Sequence, residues 1–321
     1  MILTLTPNPS IDTTLSIPHP LKRGEVQRVS SSESVAGGKG VNVSLAVLRA
    51  GLDSLALFPA AERDTFLDLL RQVEVPFESV QVPLPVRVNT AITEPDGTTT
   101  KVNGRGATLD EAVIAKVEEA LVQHSDDASW VVLAGSLPPG APVDWYARLV
   151  ALLRQHNPAL NIAVDTSDAP LVALGENFHT AAPSLIKPNG LELGQLVGVD
   201  GQALEDQAEK GNFTPVIEAA RKAIELGVET VLVTLGAAGA VLVTADQAFK
   251  ATPPPCVAVS TVGAGDCTLA GFIMGRVRGL SLADSLKQGV AYGTAAASLP
   301  GTTIPTPEQI NLAETSVEEV F

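Results

Sequence analysis

The sequence predicts an α/β protein, with one large sheet covered by helices on both faces and two further strand-like stretches outside that alternation. Three observations carry that prediction. Short apolar runs alternate with helical patterns over most of the 321 residues, the mark of strand–helix–strand units. Two stretches, residues 13–28 and 86–102, break the rhythm with apolar residues at alternate positions. Two glycine clusters near opposite ends of the chain each open onto apolar residues at helical spacing.

In chain order, residues 2–5 form the first apolar strand. The stretch 13–28 reads as strand, with apolar residues at alternate positions. From Val43 the spacing is helical, and Gly51 supplies the stop. Residues 54–58 read as a buried strand and 63–73 as a helix. Residues 86–102 read likewise as strand, folded back at Pro95-Asp96-Gly97. Helical patterns then cover 109–123, 143–155, 190–197 and 215–226. Between them fall apolar strands at 130–134, 162–165, 184–186 and 230–234. Residues 241–243 read as strand, and 268–277 as the helix that follows the second glycine cluster.

Composition narrows the class. With 45% hydrophobic residues the chain can bury a substantial core. A net charge of -15 argues against nucleic acid as a partner, because a polyanion needs a basic face. A small phosphorylated molecule needs only a few placed cations. Cys256 and Cys267 have no zinc or redox spacing, and His19, His124, His156 and His179 form no metal motif. The first residues lack the basic flank and length of a signal peptide, and no apolar run reaches membrane-spanning length. The expectation is a reduced, soluble, cytoplasmic protein with no membrane partner.

The second glycine cluster, Ser260-Thr261-Val262-Gly263-Ala264-Gly265-Asp266, carries the most chemistry. Backbone amides at Gly263, Ala264 and Gly265, free of bulky side chains, can point at one anion, and the helix dipole adds positive potential. Asp266 then sets a base beside a site for negative charge, as phosphoryl transfer to a hydroxyl requires. The same residues would also serve a plain turn and N-cap. The first cluster, Gly37-Gly38-Lys39-Gly40-Val41-Asn42, places Asn42 in a first helical turn, near the loop.

The two clusters together, G-G-x-x-x-N early and x-T-x-G-A-G-D late, resemble the signatures of the PfkB family of ribokinase-like carbohydrate kinases. The resemblance spans nearly the whole chain. It implies a three-layer α/β/α sandwich in a single domain over 1–321, with a projecting β-sheet lid at about 13–36 and 86–102. It implies ATP and Mg²⁺, with Asp266 as the base. An exposed sheet must cover its open face, so a homodimer through the lid strands is expected.

Further residues take roles from the same resemblance. Asp12, after the first strand, would accept sugar hydroxyls; Gly37, Gly38 and Asn42 would border the sugar, as would Ser136 in the loop Gly135-Ser136-Leu137-Pro138-Pro139-Gly140. Lys187-Pro188-Asn189-Gly190-Leu191-Glu192 matches an N-x-x-E element. Asn189 and Glu192 would bind Mg²⁺ through water, although a helix cap explains the pattern equally. Thr234, Gly236 and Gly239 match the nucleotide loop, which opens into strand and so is not a dinucleotide fingerprint; no Walker sequence occurs.

Four cations, Arg28, Lys39, Arg87 and Lys101, are expected around the crevice, pointing to an anionic sugar. Ser260 at the head of the late signature, and Val86-Arg87-Val88-Asn89, resemble the 1-phosphofructokinase branch, notably its actinobacterial members. Ala91 stands where that branch has Lys, and Lys101 is the candidate replacement. The resemblance thus implies fructose 1-phosphate as acceptor. Tagatose 6-phosphate or fructose 6-phosphate kinases are the nearest alternatives, with a sugar-phosphate-binding regulator the alternative from another class.

Overall fold

The computed structural model describes residues 1–320. Seven largely apolar strands line up in parallel: β5 (Phe77–Gln81), β4 (Ser54–Ala60), β1 (Ile2–Leu5), β8 (Trp130–Ala134), β9 (Asn161–Asp165), β10 (Leu185–Ile186) and β11 (Thr230–Thr234), in that spatial order. Three antiparallel strands extend the sheet beyond β11: β12 (Ala240–Val243), β13 (Ala248–Thr252) and β14 (Ser316–Glu319).

Alternation along each strand feeds two cores. Leu3, Leu5, Val131 and Leu133 point to one side. There lie α3 (Glu111–Ser125), α4 (Trp145–His156), α5 (Asp168–Glu176), α6 (Phe178–Ala181), α7 (Gly190–Val197), α8 (Gly201–Glu209) and α9 (Thr214–Glu225). Ile2, Val132 and Ala134 point to the other side, against α1 (Lys39–Arg49), α10 (Ala264–Val277) and α11 (Leu282–Ala297). Here α2 (Thr65–Gln72) adds Phe66 and Leu70 over Phe58 of β4. The result is the three-layer sandwich that the alternation predicted.

The small sheet holds β3 (Ser31–Gly37), β2 (Ser10–Ser16), β6 (Arg87–Thr93) and β7 (Thr99–Asn103), in that order. Its boundaries differ from the expectation. The first strand covers Ser10–Ser16 rather than 13–28, and residues 17–30 form a connection before β3. Four consecutive polar residues, Ser31–Ser34, all exposed, give β3 no apolar alternation to detect, although it falls within the expected lid region 13–36. The strands β5, β13 and β14 and the helices α5, α6, α8 and α11 were not expected from the pattern.

Two consequences position the site. All parallel strands end at one edge, so the residues after β1, β8, β9, β10 and β11 lie along one rim. The chain runs from β1 outward to β4 and β5, then returns to β8 on the other side of β1. Strand order therefore reverses between β1 and β8, and crevices in open α/β sheets form at such points.

Candidate active site

Asp266 occupies the first turn of α10, behind the N-cap Gly263, whose φ of 80° is one that glycine adopts without strain. Three residues at the start of a helix lack intrahelical acceptors for their N–H groups. Of Ala264, Gly265 and Asp266, only Ala264 finds a backbone acceptor, Thr261 O at 3.4 Å. A carboxylate therefore stands beside free amides at the positive end of a 14-residue helix.

Asp266 is buried, and Asn42 Nδ2 donates to its Oδ2 at 2.8 Å across 224 residues of chain. The two signatures meet in that bond. Asn42, expected at the sugar, instead directs its amide to the carboxylate, so it orients Asp266. Burial, and then the nearby Asp165, raise the Asp266 carboxyl above the ordinary carboxylate range, against the opposing pull of Lys39, Asn42 and Lys187.

Asp165 closes β9, is fully buried and was not singled out in the sequence. Lys39 Nζ donates to its Oδ1 at 2.7 Å, and Lys187 Nζ lies 3.1 Å from Oδ2, off the line of a good hydrogen bond. Burial disfavours the Asp165 charge, but Lys187 and Lys39 overcome it and lower its pKa. Burial also works against the Lys39 ammonium; Asp165, Asp266 and Glu192 outweigh it and hold it above the ordinary lysine value. Lys187 Nζ sits against the second glycine loop: a Cβ on Gly265 would lie 3.1 Å from it. Two cations are thus fixed beside Asp266 by one buried anion. A charged residue at the end of an apolar strand was the available signal.

The first glycine loop closes on the small sheet. A Cβ on Gly37 would lie 2.3 Å from Asp12 Oδ2, and one on Gly38 2.7 Å from Thr6 Cγ2, so neither position has room for a larger residue. Asp12 belongs to β2 rather than to a turn after β1. Its Oδ1 accepts from Ser10 Oγ at 2.8 Å and Asn89 Nδ2 at 3.0 Å. The inner face of the sheet carries Asp12, Asn89 and Lys101 and lines a cavity of about 640 Å³ with Ser260, Thr261 and Val262.

A second cavity, about 410 Å³, lies where strand order reverses, lined by Asn8, Arg87, Arg105 and Ser136. The structure therefore separates Arg87 from Lys101. Lys101 pairs with Ala91 across β6 and β7, four residues along β6 from Arg87, roughly 13 Å. It stands beside Ala91 as expected, but does not share the cavity of Arg87. Arg28 is not brought to either cavity. It is exposed, three residues before β3, and the far end of β3 is roughly 20 Å from Gly37.

Asn189 and Glu192 form a reciprocal cap on α7. Asn189 Oδ1 accepts from Glu192 N at 2.7 Å, and Glu192 Oε2 accepts from Asn189 N at 2.9 Å. Glu192 Oε1 makes no hydrogen bond among the described residues, and the Glu192 charge, after Asp165 and Asp266, helps to hold the Lys39 ammonium. Thr234 ends β11 beside Asn189. Gly236 opens a short 3-10 turn whose added Cβ would meet nothing within 4 Å, whereas a Cβ on Gly239 would fall 2.1 Å from Ala251 O. One glycine leaves open space at the rim, and the other tightens the turn.

The comparisons agree with this geometry. Residues 6–309 match the pfkB family carbohydrate kinase profile. A 1-phosphofructokinase of Haloferax volcanii is 33% identical over 99% of this chain and 98% of its own length. One of Rhodobacter capsulatus is 36% identical over 96% and 94%. The crystal structure of phosphofructokinase-2 from Escherichia coli in complex with substrates and products superposes with a TM-score of 0.85 at 29% identity, covering 96% of each chain. With both signatures meeting at Asp266 and that match over nearly its full length, the chain belongs to the pfkB family of carbohydrate kinases.

Proposed function

We propose that this kinase transfers the γ-phosphoryl group of ATP to the C6 hydroxyl of fructose 1-phosphate, giving fructose 1,6-bisphosphate and ADP. The observation that carries the chemistry is the buried Asp266, held by Asn42 beside unpaired helix-start amides and two lysines. The named substrate draws on the 1-phosphofructokinases among the relatives and on Arg87, whose buried Nε has no hydrogen-bond partner among the described residues.

Asp266 accepts the C6 hydroxyl proton as that oxygen bonds to the γ-phosphorus. The bond from the γ-phosphorus to the β–γ bridging oxygen breaks, and ADP leaves. Amides at Ala264, Gly265 and Asp266 stabilise charge on the transferring group, an effect that removal of a single donor typically reveals as about 10²–10³-fold. Lys39 and Lys187 supply positive potential without drifting, because Asp165 fixes both. Thr234 and the Gly236 backbone approach the nucleotide phosphates. Mg²⁺, when bound, would neutralise charge on the β- and γ-phosphates; the hard oxygens of Glu192 and Asn189 suit it and would hold it through water.

Asp12 and Asn89 on the small sheet present polar atoms to the sugar, and closure of this sheet as a lid would exclude water. We place the chain's activity in a single domain over 1–321. The outer face of the lid supports a homodimer. Leu15, Val88, Ile92 and Val102 share that face by register and alternation, and Val88 and Val102 are 48% and 60% exposed.

Phosphorus NMR of the products tests the reaction. Fructose 1-phosphate and ATP should yield a sugar bisphosphate with two monoester resonances, together with ADP. Release of inorganic phosphate in place of a bisphosphate would exclude the assignment.

A further inference from the structure

We propose that Arg105 acts with Arg87 as a two-guanidinium clamp for the phosphate that the sugar already carries. The inference deepens the functional reading above and rests on it for the class of substrate. Its ground is the 410 Å³ cavity at the reversal of strand order, which both side chains line.

That cavity has an unusual electrostatic character for this protein. In a chain of net charge -15, none of its lining residues is Asp or Glu. Among the described residues Arg87 reaches only Gly104 O, at a long 3.4 Å, and its buried Nε has no hydrogen-bond partner. Burial lowers the pKa of Arg87, with Asp12 the only charge opposing that effect. The Arg105 guanidinium makes no hydrogen bond or ion pair among the described residues and is exposed at the rim. Two guanidiniums on one concave surface, neither in a salt bridge among the described residues, repel each other, and an anion between them relieves that repulsion. Bidentate binding of phosphate is the recognition for which the guanidinium fork is suited.

The backbone holds Arg105 in place. Asn8 Nδ2 donates to Arg105 O at 3.2 Å and to Ser136 Oγ at 3.3 Å, tying the loop after β7 to the loops after β1 and β8. Gly104 N donates to Val88 O at 3.0 Å, beside Arg87. Gly106 has a φ of +95°, and a Cβ there would fall 2.0 Å from Asn8 Oδ1, so the chain passes directly over Asn8. Arg105 therefore emerges from a loop pinned on both sides. Its clamp lies away from Ala91 and Lys101, so the phosphate contact no longer depends on Lys101 alone.

Kinetics of the full-length wild type, Arg105→Ala and Arg105→Lys test the clamp, with fructose 1-phosphate, fructose 6-phosphate and free fructose as acceptors. For the preferred sugar phosphate, Arg105→Ala should raise KM about 10- to 100-fold, the range of one charge-assisted contact to phosphate. Turnover at saturation, the KM for ATP and the kcat/KM for free fructose should each change less than about threefold. Arg105→Lys should recover part of the loss, since a point charge lacks the fork. Calorimetric titration with inorganic phosphate reads the clamp without turnover, and Arg105→Ala should bind it more weakly. An unchanged KM and unchanged phosphate binding would make Arg105 a solvated surface cation and overturn the proposal. So would an equal loss toward free fructose or ATP, which reports a folding or closure defect. If wild type prefers fructose 6-phosphate, the named substrate fails, while the ratio of sugar phosphate to free sugar still judges Arg105.

Discussion

The sequence offers Asp266 as a helix cap or as a proton acceptor, and its surroundings favour the second: Gly263 is the N-cap of α10, and the Asp266 carboxylate makes no capping hydrogen bond but accepts from Asn42. A cap needs no burial, no Asn42 and no raised pKa. Replacing it by Asn keeps the shape and removes the base, so kcat should fall about 10²–10⁴-fold with substrate binding largely kept. The pH dependence has a definite sign. The base must be ionised and its pKa is raised, so kcat/KM falls as pH drops through a value above the ordinary carboxylate range of about 4. The residual activity of Asp266→Asn should lack that limb, whereas titration of the sugar phosphate itself persists in both. Near-normal turnover with a pure loss of stability would restore the plain cap. Asp266 and Asn42 were legible because each stands in a glycine-rich signature. Asp165 and Arg105 were not, because their partners arrive from distant loops: Lys39 lies 126 positions from Asp165, and Asn8 lies 97 positions from Arg105.

At the scale of elements, α7 shows how one motif can hold a helix and face a ligand. Glu192 spends Oε2 on the cap and leaves Oε1 free. Glu192→Gln preserves a capping box, since Gln serves there as well as Glu, but removes the charge. Thermal stability should hold, while the Mg²⁺ concentration giving half-maximal activity should rise about 10-fold or more. A Mg²⁺ requirement that does not move would confine Glu192 to the cap. Element recognition failed for particular physical reasons. The polar β3 earns its place by pairing with β2 rather than by burial. In α11, Gly289 and Gly293 lie so close to α10 that added Cβ atoms would meet Thr268 O at 2.7 Å and Thr268 Oγ1 at 2.1 Å. Its packing thus uses small residues that carry little hydrophobic periodicity. By contrast, 190–197 was legible to the residue, because a cap signal and a terminal glycine bracket it.

Across the whole molecule, the two cavities, the helix start and the nucleotide loop share one rim because parallel strands end together, so sugar and ATP can meet at Asp266 without a change of fold. The apolar outer face of the small sheet is a separate matter, and its role is open to a simple test. Val88→Asp with Val102→Asp should convert a dimer to monomers in sedimentation velocity at micromolar protein; an unchanged mass would remove the lid from the interface. The central claim is that this rim is built for a sugar phosphorylated at C1 and received at C6. Fructose 6-phosphate would have to bind reversed, leaving its ring hydroxyls mismatched against Asp12 and Asn89. Sites built on such hydrogen bonds can discriminate by about 10⁴ or more. The most direct measurement is therefore the ratio of kcat/KM for fructose 1-phosphate to that for fructose 6-phosphate at saturating ATP and Mg²⁺. The account predicts at least about 10²-fold in favour of fructose 1-phosphate, a floor that allows for partial pairing. A ratio at or below unity would contradict it.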